Sequence, residues 1–250
     1  MRSITIFFLA AILLFGCYKE EDYAIGSNKS GNLFGVAPSK PSILADAFST
    51  SQILVSFDKS VDSLKAATTF KTTAGVFQES GTNTFTVTPK YNYDSLKLIA
   101  TARLRSSQNI DSAIVSVSVA GFTKSEVVYF TNSYPEISEL TASTLAIKPK
   151  NNSDGEVQFT NKISKTNGLP SLNNIVDLGV FDTLFHAIGS FRIYSNKSDA
   201  SGTTNYAYVL GDSVANGRNY TGKLFAISKT QKDQNPNNLI RDTVILISSN

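Results

Sequence analysis

From about residue 42 onward the chain consists of short apolar runs separated by polar turn residues. Within these runs Phe85 and Val87 alternate with threonine, and Val115, Val117 and Val119 alternate with serine. A period of two puts successive side chains on opposite faces of an extended chain, which is typical of strands that bury one face. In the first part of the chain the pattern predicts strands at residues 53–57, 84–88, 96–102, 113–119 and 126–130.

Short strands at regular spacing favour a β-sandwich over residues 42–134. The architecture resembles an immunoglobulin-like module, although the chain lacks the cysteine pair and the tryptophan of antibody domains. Tyr134-Pro135-Glu136 interrupts the strand pattern, because proline restricts the residue before it and cannot donate a backbone hydrogen bond. We therefore predict a domain boundary at residue 134.

The remaining residues, 135–250, predict a second and more irregular β-sandwich with asparagine-rich loops. Its strands are expected at residues 145–148, 156–160, 176–185, 190–195, 206–210, 224–228 and 243–248. Polar segments at 150–155, 196–205 and 231–238 indicate exposed loops, where binding residues concentrate. The predicted fold class is therefore all-β, with two immunoglobulin-like β-sandwich modules.

The N-terminus carries a targeting segment. A basic start with Arg2 is followed by an apolar run over residues 4–15 that only Thr5 interrupts. This run is too short to span a bilayer, which takes about 20 residues, and it predicts a signal peptide over residues 1–16. Residues 17–41 are polar and rich in glycine and serine, and they predict a flexible tether.

The end of the signal peptide, Leu14-Phe15-Gly16-Cys17, resembles the lipobox of bacterial lipoproteins. The resemblance implies cleavage after Gly16, a diacylglyceryl group on the Cys17 thiol and a lipid anchor in the membrane. Cys17 is the only cysteine of the chain, and acylation would protect its thiol from oxidation. The alternative is an ordinary secreted protein with a cysteine at the boundary by chance.

The residues after Cys17 indicate where the protein is transported. Lys19, Glu20, Glu21 and Asp22 resemble the lipoprotein export signal of Bacteroidota, a lysine followed by acidic residues. The resemblance implies transport across the outer membrane to the cell surface. The alternative is a charged tether that is merely well solvated.

Six copies of a tripeptide, Asp followed by Ser or Thr and then an aliphatic or small residue, lie after the signal peptide, whereas chance predicts about one. The pattern resembles the O-glycosylation acceptor of exported Bacteroidota proteins. Asp-Ser and Asp-Thr also form turns, because their side chains bond nearby backbone groups. The candidate acceptors are Ser63, Ser95, Ser112, Thr183, Ser213 and Thr243.

Composition excludes several kinds of chemistry. With His186 as the only histidine, one cysteine and one methionine, the chain lacks the usual ligands of zinc or haem, and we predict no metal and no cofactor. A net charge of +3 gives no indication of a nucleic-acid partner. No Gly-x-Ser-x-Gly motif is present. We therefore predict that the chain has no catalytic residues and is not an enzyme. A glycoside hydrolase would need two opposed carboxylates in a cleft, such as Asp177 or Asp182 opposite Glu156.

Tyrosine pairs are the positive indication of binding. Tyr91 and Tyr93 are two residues apart, as are Tyr206 and Tyr208, so each pair shares a face of an extended chain. Tyr206 and Tyr208 are the candidate ligand-contact residues. The alternative, which the frequency of tyrosine on sandwich surfaces and the absence of tryptophan favour, is a structural role. The predicted function is a binding or structural accessory module, with other outer-membrane proteins or surface glycans as partners. The second hypothesis is a glycan-binding accessory protein of a polysaccharide-uptake system.

Overall fold

The computed structural model describes residues 33–57, 67–149, 155–211 and 220–249. These residues form eighteen β-strands arranged in four sheets. Within these ranges no helix is long and apolar enough to cross a membrane.

The first ten strands form two sheets. In one, the order is β1-β3-β8-β5, and β7 also pairs with β8; in the other it is β2-β10-β9-β4-β6. The strands are β1 (Phe34–Pro38), β2 (Ser42–Leu44), β3 (Thr50–Phe57), β4 (Thr68–Thr72), β5 (Val76–Phe77), β6 (Thr84–Val87), β7 (Lys90–Asn92), β8 (Lys97–Arg105), β9 (Asp111–Val119) and β10 (Phe122–Thr131).

One apolar core lies between these two sheets and makes them a sandwich. Ile53 and Val55 of β3 face inward from one sheet, and Val115 and Val117 of β9 face inward from the other. Their polar neighbours point outward, as the period of two predicted. Burial of this shared apolar face supplies the main driving force for packing the sheets together.

The last eight strands form a second pair of sheets, with orders β11-β13-β16-β15 and β12-β18-β17-β14. Phe159 and Tyr208 face Leu178 and Leu224 across a separate core. The strands are β11 (Ile137–Ala142), β12 (Ala146–Ile147), β13 (Glu156–Ser164), β14 (Val176–Phe181), β15 (Ser190–Tyr194), β16 (Thr203–Val209), β17 (Gly222–Gln231) and β18 (Leu239–Ser248).

The prediction of a tether up to residue 41 is wrong for its last part. Residues Phe34–Pro38 form β1, which pairs antiparallel with β3. Phe34 is buried in the first core. The segment contains few β-branched residues, and its conformation comes from pairing with β3 instead of from local preference.

A predicted strand over residues 176–185 also ends too late. β14 stops at Phe181, and residues 182–186 form a turn in which the backbone N–H of Asp182 donates to the carbonyl of His186 at 3.0 Å. Phe185 has a φ of 61°, a left-handed conformation that a strand does not contain.

Hydrogen bonds join the two sandwiches end to end. The backbone N–H of Leu169 donates to the carbonyl of Asp46, and that of Leu172 donates to the carbonyl of Gln108, both at 2.9 Å. The buried Ser171 hydroxyl donates to the carbonyl of Ala45 at 2.9 Å and accepts from the N–H of Ser133 at 2.8 Å. We call this contact, between residues 165–174 and the end of the first sandwich, the junction.

The junction fixes which ends of the molecule lie far apart. In the first sandwich Asp46 and Gln108 lie at the junction, whereas the first described strand, β1, begins at the opposite end, where Phe34 pairs with Phe57. In the second sandwich Val176 lies near the junction, and β14 runs away from it to Phe181. The turn after Phe181 therefore lies at the end of the molecule that is distant from Leu33.

Candidate binding surface

Tyr206 and Tyr208 are core residues, so the prediction that they contact a ligand is wrong. Both side chains are fully buried. The Tyr206 hydroxyl donates to the carbonyl of Val176, and the Tyr208 hydroxyl donates to that of Ile188 at 2.8 Å. Burial raises the pKa of Tyr206 to about 12 and raises the pKa of Tyr208 as well. Neither ring is available to a sugar or a protein partner.

The spacing of these tyrosines was informative, but it could not assign their face. Tyr206 pairs with the buried Phe159 across the sheet, so the shared face of the pair is the inner one. Ala207, which points the other way, is also buried. Because Ala207 and Val209 are buried on the other side, the last part of β16 shows no polar alternation that would distinguish inside from outside.

The carboxylates considered for catalysis lie apart from one another. Glu156 and Asp177 project from the outer faces of opposite sheets of the second sandwich. Glu156 accepts a hydrogen bond from Arg192 at 3.2 Å, and Asp177 accepts one from Tyr194 at 3.2 Å. Two carboxylates on opposite outer faces do not form the cleft that glycoside hydrolysis requires.

Asp182 instead organises the turn at the distant end. Its carboxylate accepts hydrogen bonds from the backbone N–H groups of Leu184 at 2.8 Å and His186 at 2.9 Å. These bonds outweigh the desolvation that burial causes, so the pKa of Asp182 lies below its usual value. The imidazole of His186 is exposed and its Nδ1 lies 3.4 Å from Asp182. Within the described ranges, no three His, Cys, Asp or Glu side chains are grouped to hold a metal ion.

The turn presents two large apolar side chains to solvent. Leu184 is 73% exposed and Phe185 is 68% exposed. The Phe185 ring stacks on Phe225 of β17, with ring centroids 6.1 Å apart. We call residues 182–186 the distal turn. Its hydrogen bonds fix the backbone that carries the apolar pair, which lowers the entropy cost of contact with a partner.

An apolar sheet face continues from the distal turn. Phe181, Phe225 and Ile245 are cross-strand neighbours on the outer face of β14, β17 and β18, and Ile227 and Ile247 lie beside them. Ile245 and Ile247 are exposed, and the other three are partly exposed. On the outer face of the opposite sheet, Glu139, Gln158, Lys162 and Asn205 are exposed. One side of this sandwich therefore has the composition of a contact surface.

The candidate glycan acceptors differ in their exposure. Ser95, Thr183 and Thr243 are exposed, whereas Ser112 is partly buried at the start of β9. Ser63 and Ser213 lie outside the described residues. The motif aspartates also bond the backbone: the N–H of Ser112 donates to Asp111 at 2.7 Å and that of Thr243 donates to Asp242 at 2.8 Å. Asp111-Ser112 begins β9 and Asp242-Thr243 lies within β18, so these two copies are in strands and not in turns.

The lipidation residue Cys17 and the export-signal residues Lys19, Glu20, Glu21 and Asp22 also lie outside the described residues.

The predicted loop at 196–205 differs from expectation. Ser198 is buried, the carbonyl of Ala200 accepts from the Gln108 amide at 3.0 Å, and β16 begins at Thr203. The segment contacts the first sandwich beside the junction, through Ala200 and Gln108, and is not an open binding loop.

Comparison with known proteins is informative about the fold. The chain matches no protein-family model and no curated protein. It is similar to the Yersinia pseudotuberculosis adhesin InvE, with 13% identity and a TM-score of 0.54 over 87% of this chain and 59% of that one. It is also similar to invasin, a bacterial integrin-binding protein, with 14% identity and a TM-score of 0.57 over 86% of this chain and 39% of that one.

The chain thus spans about six-tenths of the InvE structure and four-tenths of the invasin structure. At such identities the likeness shows the fold alone. Together with the two sheet pairs, it confirms the predicted all-β fold built from immunoglobulin-like β-sandwiches.

Proposed function

We propose that this chain is an outer-membrane lipoprotein, anchored through Cys17 and facing the cell exterior, that acts as a non-enzymatic binding or structural module. The observation that carries the proposal is the position of the distal turn. The exposed Leu184 and Phe185 lie at the end of the molecule opposite to Leu33, beyond which an anchor would be attached. Their distance from the anchor suits contact with a partner away from the membrane.

The similar adhesin structures support this proposal by analogy, because the same fold serves surface attachment in those proteins. We infer that the partner is another outer-membrane protein or a surface glycan, and that it contacts the distal turn and the apolar face beside it.

Co-purification tests the binding surface. We expect gentle purification from membranes to recover a partner with the wild-type chain and to lose it when Leu184 and Phe185 are both replaced by serine. The control is Ile114→Ser, which changes an exposed apolar residue of the first sandwich. Recovery of the same partner by the Leu184 and Phe185 double variant would show that this surface is not the binding site.

Fatty-acid labelling tests the anchor. Replacing Cys17 by alanine removes the only thiol that could accept a diacylglyceryl group. We expect incorporation of labelled palmitate into the wild-type chain and none into the variant. Continued labelling of the variant contradicts the assignment of the lipobox.

Protease accessibility tests the surface location. Replacing residues Lys19, Glu20, Glu21 and Asp22 by neutral residues should leave the protein lipidated but retain it inside the outer membrane. We expect external protease to digest the wild-type protein on intact cells and to spare the variant. Equal digestion of both proteins contradicts a role of these residues in export.

Mass analysis tests the glycans. We propose that at least some of the six motif hydroxyls are glycosylated, and the exposure of Thr183 and Thr243 supports these two. Replacing both by alanine should reduce the mass of the mature protein by more than the loss of the side-chain atoms. A wild-type mass equal to that of the lipidated polypeptide contradicts the proposal.

A further inference from the structure

The end of the first sandwich where the described chain begins carries a second exposed aromatic cluster. Phe34, Phe57, Leu98 and Tyr91 are successive cross-strand partners on β1, β3, β8 and β7. At about 4.8 Å between neighbouring strands, Tyr91 lies roughly 14 Å from Phe34. The hairpin over residues 90–97, which joins β7 to β8, therefore lies beside the point where the tether enters; we call it the proximal hairpin.

Large side chains of this hairpin are exposed to solvent. Tyr93 is 82% exposed, and Tyr91 and Leu96 are each about half exposed. The two tyrosine rings are 5.0 Å apart between centroids and almost perpendicular. The backbone N–H of Ser95 donates to the side-chain carbonyl of Asn92 at 2.8 Å, which closes the turn.

Leu96 occupies an unfavourable conformation for its residue type. Its φ is 53°, in the left-handed region where glycine and asparagine are common and leucine is rare. The leucine gains only partial burial in return, because about half of its surface stays exposed. Stability alone does not explain an exposed leucine at this position, whereas a contact that buries it does.

We infer that the proximal hairpin contacts the bilayer that holds the lipid anchor, an inference that rests on the proposed lipidation of Cys17. Tyrosine is enriched at membrane–water interfaces, where its ring lies among the headgroups and its hydroxyl remains hydrated. Exposed Lys90 and Lys97 flank the aromatic pair and outnumber the single acidic residue, Asp94. Lysine extends along such a surface and pairs with anionic headgroups.

The length of the tether makes this contact accessible. Cys17 and Leu33 are 33 − 17 = 16 residues apart in the sequence, which a fully extended chain spans in at most roughly 55 Å. The anchor therefore keeps the proximal hairpin within a limited distance of the bilayer, which raises its effective concentration at the surface. A contact that would be too weak for the free protein becomes populated once the chain is anchored.

A protein partner is the competing occupant of this surface, and a tryptophan probe separates the two. The chain contains no tryptophan and a single cysteine. We would prepare residues 17–250 with Tyr93→Trp and attach Cys17 to a maleimide lipid in phosphatidylethanolamine–phosphatidylglycerol vesicles. This chemical anchor reproduces the tether whether or not the cell acylates Cys17, so failure of the proposed lipidation leaves the test intact.

We expect the tryptophan at position 93 to emit at shorter wavelength on the vesicles and to be quenched by brominated lipid. The control is Tyr129→Trp, since Tyr129 is 56% exposed on the outer face of β10; its emission should stay unchanged. Combining Tyr91→Ser and Leu96→Asn with the position-93 probe should reduce the quenching. Emission at position 93 that is the same with and without vesicles overturns the inference and leaves a protein as the occupant.

The state of Ser95 provides an independent test. Ser95 is an exposed motif hydroxyl within the proximal hairpin, and a bulky polar glycan there would hold the tyrosines away from the headgroups. We expect mass spectrometry of the cellular protein to find the peptide containing Ser95 unmodified, even where Thr183 or Thr243 is glycosylated. A glycan on Ser95 contradicts contact of the hairpin with the bilayer.

Discussion

Asp46 shows how one residue contributes both to a turn and to the junction. Its carboxylate accepts hydrogen bonds from the N–H and the hydroxyl of Ser49, at 2.6 and 2.7 Å, and from the Ser106 hydroxyl at 3.1 Å. Its backbone carbonyl accepts from the N–H of Leu169. Burial opposes ionisation of the carboxyl, but the hydrogen bonds outweigh it, and the pKa of Asp46 lies below its usual value.

We predict that Asp46→Asn lowers the free energy of unfolding at neutral pH by about 1–3 kcal/mol, because the amide replaces a charged acceptor with a weaker one. The folded-state pKa is depressed, so this stabilisation is present above the unfolded-state value near 3.9 and is lost as pH falls through the folded-state value. Denaturant unfolding at several pH values measures it. An equal loss of stability for wild type and variant on acidification would falsify the assignment.

The buried tyrosines predict sensitivity to alkali. A tyrosine whose pKa is raised by folding stays protonated in the folded protein while the unfolded chain ionises, so stability falls as pH rises above about 10. We predict that Tyr206→Phe lessens this alkaline loss between pH 10 and about 12, where the folded-state pKa lies. It should also cost about 1 kcal/mol at neutral pH, because the carbonyl of Val176 loses its donor. Thermal unfolding across this pH range measures both effects.

A suitable control is Tyr129→Phe, which removes an exposed hydroxyl from the first sandwich. If this variant and Tyr206→Phe have the same alkaline profile, Tyr206 does not cause the effect.

At the scale of single elements, two turn glycines have similar backbone conformations but different surroundings. Gly189 precedes β15 with a φ of 71°, and a Cβ placed there would lie 2.1 Å from the Tyr208 hydroxyl oxygen. Gly81 has a similar φ of 68°, but nothing lies within 4 Å of the corresponding Cβ position. A comparison of alanine substitutions at the two glycines therefore separates the cost of backbone strain from the cost of a steric clash.

We predict that Gly81→Ala costs about 1 kcal/mol, from the left-handed backbone alone. Gly189→Ala should cost clearly more, because Tyr208 must move and its hydrogen bond to Ile188 is disturbed. Denaturant midpoints of the two variants, compared with wild type, measure the difference. Equal costs would show that the core around Tyr208 adjusts freely.

The elements themselves followed from the sequence where one face of a strand is buried. β9 alternates as expected, and the predicted ranges of β9 and β10 lie within the observed ones, which have extra residues at the ends. β1, β4 and β11 were among the strands that were missed, and each is held by pairing with strands elsewhere in its own sandwich. Strand pairing at long range, not local pattern, fixes such segments.

At the scale of the whole molecule, the junction determines how the two sandwiches act together. Ser171 bonds both Ala45 and Ser133 across it, and Gln108 donates to the carbonyls of Pro170 and Ala200 at 3.1 and 3.0 Å. The two bonds of Ser171 are buried and therefore costly to break, so they oppose bending between the sandwiches. A stiff junction would hold the distal turn away from the anchored end.

We predict that Ser171→Ala loosens the junction, because it leaves the N–H of Ser133 and the carbonyl of Ala45 without these partners. Residual dipolar couplings should give one common alignment for both sandwiches in the wild type and two different alignments in the variant. Ser116→Ala, which removes a surface hydroxyl pair with Ser125 inside the first sandwich, serves as the control. Unchanged common alignment in Ser171→Ala would show that other contacts hold the junction.

The sequence by itself determined the all-β class, because alternation with a period of two is a local property that survives into the folded chain. It also contains the residues that resemble a lipobox and an export signal around Cys17, which depend on the order of residues and not on the fold. Only the tertiary structure decided which face is buried in β16, because both sets of alternating residues near its end are mainly apolar or aromatic and spacing leaves inside and outside equivalent. The tertiary structure placed Tyr206 and Tyr208 in the core, exposed Leu184 and Phe185 at the distant end, and brought Tyr91 and Tyr93 beside the start of β1.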